Sequence, residues 1–280
     1  MKVTVLMENT ALEGCGLTPE HGLSLYIEYR GRKLLLDAGA SEKFADNAQA
    51  LGVDLAAVEL AVLSHGHNDH AGGLGQFFRL NRQAPVYICA GAAGPVYAEH
   101  PDGRRFIGID REVWTEFRSR FAEVEGTSPL TEGVWLVPDT LRDPAFTGRA
   151  TNLLYQRGEG DFIPDDFRHE QSLVLEEERG LVVFNSCSHT GIVNIVRGVL
   201  EQFPGKKVFA VVGGLHMFGR DHTGLNCTPE YVYQVADTLK KLGVEEIYTG
   251  HCTGEMALSL LRERFGPGCH ALSTGKVLTL

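Results

Sequence analysis

The stretch Ser64-His65-Gly66-His67-Asn68-Asp69-His70 places three histidines and an aspartate side by side, directly after the apolar run Leu60-Ala61-Val62-Leu63. Imidazole and carboxylate at this density and in this His-x-His-x-Asp-His order are the donors of a transition-metal site. In a turn, the alternate side chains of His65 and His67 can face one ion, while Asp69 and His70 point elsewhere and serve a second nearby. Two divalent ions about 3.5–4 Å apart would bridge a hydroxide and clamp a phosphoryl or carbonyl oxygen, so no nucleophilic side chain is required. Zinc suits this set of N and O donors best and keeps an open position for water; iron or manganese would also accept it.

The rest of the chain must position these residues, and it repeats one device. Apolar strand-like runs end in tight polar turns that present a histidine: His65 and His67 after Leu63, His189 after Phe184, His216 after Val212 and His251 after Tyr248. In layered α/β proteins ligand sites gather beyond the carboxyl ends of strands, so such turns can converge on one pocket. Taken singly, each later histidine is more often a satisfied polar group than a ligand. Taken with the first motif, His189 and His251 become candidate ligands, and His216 stands evenly between the two readings.

Between these turns the pattern is strand and helix in alternation. Lys2 to Met7, Leu23 to Tyr29 and Arg32 to Leu36 read as strands, with Arg30-Gly31 as a tight turn. Ser41 is placed to cap a helix carrying Phe44, Ala48 and Leu51 and closed by Gly52. Ser172 to Leu175 and Gly180 to Phe184 form a hairpin across a charged turn, and helices follow with Ile192 to Phe203, after Thr228-Pro229, and with Met256 to Phe265. From Gly91 to about Arg168 the rhythm loosens into an excursion, with a helix expected over Asp110 to Val124 and a strand over Val134 to Val137. Arg104, Arg105, Arg149 and Arg157 could meet an anionic substrate there, although ordinary surface arginines explain them as well. No linker separates parts of the chain, so one α/β domain over 1–280 is expected.

Composition narrows the function classes. The 280 residues are 43% hydrophobic and 22% charged, ordinary for a globular protein, and the formal net charge of -10 with no basic block disfavours a nucleic-acid partner. A small anionic substrate held by metal and a few arginines fits better. No apolar run approaches a membrane span, and the N-terminus lacks the apolar core and cleavage site of a signal peptide. The six cysteines are scattered without CxxC pairs and read as reduced thiols of a cytoplasmic protein.

The first motif, the preceding Asp37-Ala38-Gly39 turn and the later histidine-bearing strand ends together resemble the metallo-β-lactamase superfamily. More narrowly, Glu8-Asn9-Thr10, Glu20-His21-Gly22-Leu23-Ser24, Cys187-Ser188-His189, Gly213-Gly214-Leu215-His216 and Thr249-Gly250-His251-Cys252 look like one branch of it. Members of that branch are often named after a methanopterin-pathway enzyme, 7,8-dihydropterin-6-methyl-4-(β-D-ribofuranosyl)aminobenzene-5'-phosphate synthase. The resemblance implies a four-layer αββα sandwich with an inserted excursion around 91–168 and a dinuclear site.

Residue by residue, the resemblance assigns metal roles to His65, His67, Asp69 and His70, and to His251 as the late histidine. His189 is the preferred third ligand of the first ion and His169 the alternative. Cys187 stands where many members carry a bridging aspartate, and is either a ligand or a buried inert thiol. Asp37 is expected to orient a ligating histidine without touching metal. Asn9 and His21 are expected to line the pocket. His216 could be a ligand, a proton donor to the leaving group or a substrate contact. The expected activity is that of a metal-dependent hydrolase, or related transferase, acting on a small phosphorylated substrate of pterin or ribose-phosphate type, with Asp69 and His216 as its catalytic groups. Hydrolysis of a phosphodiester or cyclic nucleotide competes at the same site, and a di-iron redox or ligand-sensing module is the alternative of another class. Oligomeric state is not set by the sequence.

Overall fold

The structure, a computed structural model, describes residues 1–147, 152–219 and 224–280. The chain divides into two compact units: Met1–Glu125, Thr151–His169 and Ser273–Leu280 make the first, Gly126–Ala150 and Glu170–Leu272 the second.

The first unit is built on β1 (Lys2–Met7), β2 (Ser24–Tyr29), β3 (Arg32–Leu36), β4 (Leu60–Val62) and β5 (Val86–Cys89). Two small strands, β6 (Val96–His100) and β7 (Gly103–Phe106), precede β8 (Phe121–Val124). The β2–β3 hairpin turns at Arg30-Gly31, both with positive φ (48° and 78°), the geometry that matches the right-handed twist of the strands. With β18 (Val277–Thr279), the large sheet runs in the order β18-β1-β2-β3-β4-β5-β8. Its first pairings are antiparallel and those from β3 onward parallel. Parallel neighbours need crossovers, supplied by α1 (Lys43–Ala50), by α2 (Asn68–Ala71) with α3 (Leu74–Leu80), and by α4 (Arg111–Glu116). Phe44, Ala48, Phe77 and Phe78 from these helices pack with Leu35, Ala61, Val86 and Phe121 of the sheet in one apolar cluster.

The second unit holds β9 (Ser128–Thr131), β10 (Val134–Pro138), β13 (Gln171–Glu177), β14 (Gly180–Phe184), β15 (Val208–Val212), β16 (Glu246–Thr249) and β17 (Cys269–Ala271), ordered β17-β16-β15-β14-β13-β10-β9. Here β14 to β17 are parallel and β14, β13, β10 and β9 antiparallel. Crossovers are α5 (Ile192–Gln202), α6 (Pro229–Lys241) and α7 (Glu255–Phe265). The Thr228 hydroxyl accepts the Tyr231 N–H at 3.2 Å, the cap that Thr228-Pro229 predicts. Val193, Val196, Val235, Leu239 and Leu261 bury their helix faces against Val183, Val211 and Ile247. In both sheets the parallel half brings the carboxyl ends of adjacent strands to one edge, and every histidine-bearing turn named above follows such a strand.

The loosened stretch 91–168 divides three ways. β6, β7, β11 (Leu153–Gly158) and β12 (Asp161–Pro164) form a separate four-stranded antiparallel sheet, β12-β11-β6-β7, while β8 and the β9–β10 hairpin complete the two large sheets. The helix expected over Asp110 to Val124 stops at Glu116. Asp110 caps it through bonds from the Glu112 and Val113 N–H groups (2.8 and 3.0 Å). Phe117 leaves the helical dihedrals, and Phe121 to Val124 pair in parallel with β5. Trp114, Phe117 and Phe121 share a helical spacing, but ladder hydrogen bonds at the sheet edge override it. Ser41 lies one residue before the observed N-cap, Glu42; its hydroxyl accepts the first-turn Lys43 N–H at 3.3 Å and donates to Glu20 at 2.7 Å. No helix among the described residues is long and apolar enough to cross a membrane.

Candidate metal centre

In the first unit the site begins with Asp37, which follows β3 in a left-handed conformation (φ 57°) that an aspartate tolerates better than most residues. Its buried carboxylate accepts the Ser64 N–H at 2.7 Å and the Ser64 hydroxyl at 2.7 Å, and it meets Nδ1 of His70 at 2.8 Å. Asp37 thus engages Nδ1 of His70, and the other ring nitrogen, Nε2, turns toward Asp69. The Ser64 hydroxyl spends its single proton on Asp37, so the 2.9 Å contact from Ser64 Oγ to His65 Nδ1 is donated by the ring. That fixes the tautomer of neutral His65 and leaves a lone pair on its Nε2, which faces Nδ1 of His67 at 3.1 Å. The ring centroids of His67 and His70 lie 4.5 and 4.4 Å from that of His65.

Only glycine fits inside this turn. A Cβ on Gly66 would lie 1.9 Å from the Ala92 carbonyl oxygen. Asp69 faces His70 Nε2 and His21 Nε2, each at 3.4 Å from its Oδ2, and His21 Nδ1 meets the Asn9 amide at 3.2 Å. The long first loop therefore delivers Asn9 and His21 to the motif.

The electrostatics fit a cation. Burial, with the neighbouring His70 and His67, holds His65 well below its ordinary pKa, and burial lowers His67 to about 3. Burial also opposes a charge on His70, but the carboxylates of Asp69 and Asp37 outweigh it and raise that histidine to about 10. Two neutral imidazoles beside an imidazolium lodged between carboxylates are the donor chemistry of a divalent ion, with a proton in its place.

His169, the alternative ligand, sits in the same unit. Its Nε2 meets Asp165 Oδ2 at 3.0 Å, its buried Nδ1 has no hydrogen-bond partner among the described residues, and donor atoms of His67, Asp165 and His169 lie within 4.8 Å of one another. Asp165 escaped the sequence reading; its one signal is the i, i+4 spacing to His169. Phe167 between them takes a positive φ (52°), with its ring 6.2 Å from that of His67.

The second unit presents its candidates on three turns after adjacent parallel strands. After β14 come Cys187, Ser188 and His189; after β15, His216; after β16, His251 and Cys252. Ser188, His216 and His251 all adopt positive φ (54°, 47° and 50°), a strain of about 1–2 kcal/mol each that fixed hydrogen bonds must hold in place. Asn185 Oδ1 accepts the Ser188 N–H at 2.6 Å, and the Glu170 carboxylate accepts the N–H groups of His189 and Thr190 at 2.8 and 2.9 Å. Behind them the Asn185 amide and the Ser172 hydroxyl donate to Asp139 (2.7 and 2.9 Å). Burial and the Glu170 carboxylate push the Asp139 carboxyl well above its usual range. The Ser188 hydroxyl ties the first turn to the second through Gly214 O (2.8 Å), and Thr253 Oγ1 ties the second to the third by accepting the Leu215 N–H (2.8 Å). The rings of His189 and His216 meet tilted at 50°, with centroids 4.3 Å apart. Cys252 is buried, which penalises a thiolate; hydrogen bonds with the side chains of Cys187 and His216, and the charge of the nearby His251, nevertheless hold it well below its ordinary pKa.

Among the described residues the arginines of the excursion are not gathered in one place. Arg104, Arg105 and Arg157 pair on the surface with Glu99, Asp102 and Asp161, and Arg149 lies outside the described residues.

Among proteins of known name, the chain is similar over 99% of its length, at 27% identity, to the 7,8-dihydropterin-6-methyl-4-(beta-D-ribofuranosyl)-aminobenzene-5'-phosphate synthase of Methanocaldococcus jannaschii, 96% of which is covered. Among solved structures it resembles Tm1679, a metal-dependent hydrolase of the beta-lactamase superfamily (TM-score 0.83, 27% identity, 100% and 99% of the two chains). It shares its fold with Zn(2+)-bound PqqB from Methylobacterium extorquens at a TM-score of 0.61 and 15% identity, each chain covered in full. The family model of the metallo-beta-lactamase superfamily matches residues 17–198, and the chain belongs to that superfamily, with the α/β fold that its motifs predicted.

Proposed function

We propose that this protein is a metal-dependent hydrolase, or a closely related transferase, acting on a small phosphorylated substrate of pterin or ribose-phosphate type. His65, His67, Asp69 and His70 are the metal ligands of the first unit, and His189 and His251 those of the second. The observation that carries the reading is the motif's own hydrogen bonding: Asp37 and Ser64 direct His70 and His65 so that each keeps Nε2 for another partner. When bound, divalent ions supply Lewis acidity, lowering the pKa of water and offsetting phosphoryl charge. Asp69, held between His21 and His70, takes up the proton that the attacking water gives away. Asn9 holds His21 in its orientation at the substrate side. The substrate class rests on the named relative from Methanocaldococcus jannaschii, and zinc as the ion on the imidazole-rich donor set.

The test is metal analysis of protein purified without added metal, followed by turnover of bis(p-nitrophenyl) phosphate. Metal-dependent turnover that disappears in His67→Ala supports the reading. Bound iron with an oxygen-reactive spectrum and no esterase activity would replace it with a redox module.

A further inference from the structure

The second unit carries a sulfur donor that an imidazole and carboxylate site does not need. We propose that Cys187, His189 and His216 form a metal cradle of one thiolate and two imidazoles, which takes a thiophilic divalent ion such as zinc or ferrous iron. This deepens the metal reading above and rests on it. It assigns His216, whose sequence position left ligand, proton donor and substrate contact open, the part of a ligand.

Geometry comes first. One donor atom from each of the three side chains lies within 4.8 Å of the others. Donors around a tetrahedral zinc stand about 3.3–3.6 Å apart, so closing on an ion asks each for a shift of at most about an ångström. All three sit on turns whose backbone is already fixed. The left-handed Ser188 between Cys187 and His189 is held by Asn185 and by Gly214 O, and the left-handed His216 by the Asn226 amide on its carbonyl at 2.8 Å.

The turn that carries His216 approaches its two neighbours so closely that a Cβ on Gly214 would lie 2.7 Å from Ser186 O of the first turn and 2.4 Å from Cys252 Sγ of the third, which only glycine permits. The second observation is chemical: Nδ1 of His216 is buried and has no hydrogen-bond partner among the described residues, a cost that an ion would remove. The donor set then fixes the class of ion. Thiolate with imidazole selects zinc, iron or cobalt over magnesium, calcium and manganese. On binding, the Cys187 thiol gives its proton to solvent and its sulfur donates an electron pair; no oxidation state changes.

Cobalt(II) titration of the metal-free protein reads the sulfur directly, through the near-ultraviolet thiolate-to-cobalt charge-transfer band. The cradle predicts this band in the wild type and in Cys252→Ser, and its loss in Cys187→Ser. In His216→Ala the band persists, but cobalt binds at least about tenfold more weakly. If Cys187→Ser fails to fold, zinc X-ray absorption of the wild-type and Cys252→Ser proteins decides: a sulfur scatterer at about 2.3 Å in both supports the cradle, and a shell of nitrogen and oxygen alone overturns it. Cobalt that binds and supports phosphodiester turnover without the band refutes the cradle and leaves the proposed function standing. A protein that takes up no cobalt refutes both. A band lost in Cys252→Ser and kept in Cys187→Ser assigns the thiolate to the other cysteine and overturns the proposal.

Discussion

Replacing Asp37 by asparagine isolates what one buried carboxylate does for the metal motif. Asparagine occupies the left-handed φ of 57° about as readily as aspartate, so the backbone is left alone. The amide offers one acceptor oxygen where the carboxylate offers two. If that oxygen stays toward Ser64 Oγ and His70 Nδ1, the NH2 group faces the Ser64 N–H, donor against donor. If it flips, the NH2 group faces His70. At least one charge-assisted bond is lost in either orientation, about 1.5–3 kcal/mol at a site with no solvent to replace it. The charge that helps hold a proton on His70 goes as well, and the ring is no longer fixed with Nε2 outward.

Removing a group that orients a ligand typically weakens metal binding about 10–100-fold, and Asp37→Asn is expected in that range. Competition of the metal-free protein against a zinc indicator dye measures it, with a denaturant melt of the same samples to separate stability from affinity. An affinity within about twofold of wild type, in a variant that melts about 2 kcal/mol lower, would show that Asp37 serves the fold and not the ligand.

Three further outcomes follow from the same geometry. His70 keeps its proton up to about pH 10 in the metal-free protein, so ligation through Nε2 releases one proton, and the apparent affinity should rise about tenfold per pH unit through the neutral range. Calorimetry in buffers of different ionisation enthalpy counts that proton. His65 and His67 have depressed folded pKa values, so below their unfolded value of 6.5 the unfolded chain binds more protons than the folded one. Stability of the metal-free protein should therefore fall as pH drops below 6.5, by up to about 1.4 kcal/mol per unit for each histidine and, for His67, down to about pH 3, as read by urea melts; a flat profile would contradict those shifts. Gly66→Ala drives a methyl group into the Ala92 carbonyl and should cost about 3 kcal/mol or prevent folding, whereas a neutral result would mean that the turn relaxes freely.

What the sequence disclosed was local. His65 to His70 and Asp37 are legible because strand and turn carry the chemistry within a few residues, and the histidine turns of the second unit because each follows a short strand-like segment, Gly180–Phe184, Val208–Val212 or Glu246–Thr249. Features that depend on distant partners were not legible. Asp165 is an ordinary turn aspartate until the fold sets it against His169. Asn185, Ser172, Asp139 and Glu170 are scattered polar residues until they meet around the Cys187 turn. The same limit explains the segment after Glu116: aromatic spacing suits a helix and an edge strand alike, and only the presence of β5 alongside decides. The four-stranded sheet of the excursion hides for a related reason, since β7 and the outer ends of β11 and β12 are exposed and lack an apolar rhythm.

The central claim is that His65, His67, Asp69 and His70 exist to hold divalent metal. Elemental analysis of the protein after chelation, exhaustive dialysis and reconstitution with zinc, set beside the same preparation of the His65→Ala/His67→Ala double variant, tests it most directly. About two ions per wild-type chain, with at least one lost in the variant while its circular dichroism is unchanged, is the result predicted. A wild-type chain that retains no stoichiometric metal, or a variant that retains as much as wild type, would contradict it.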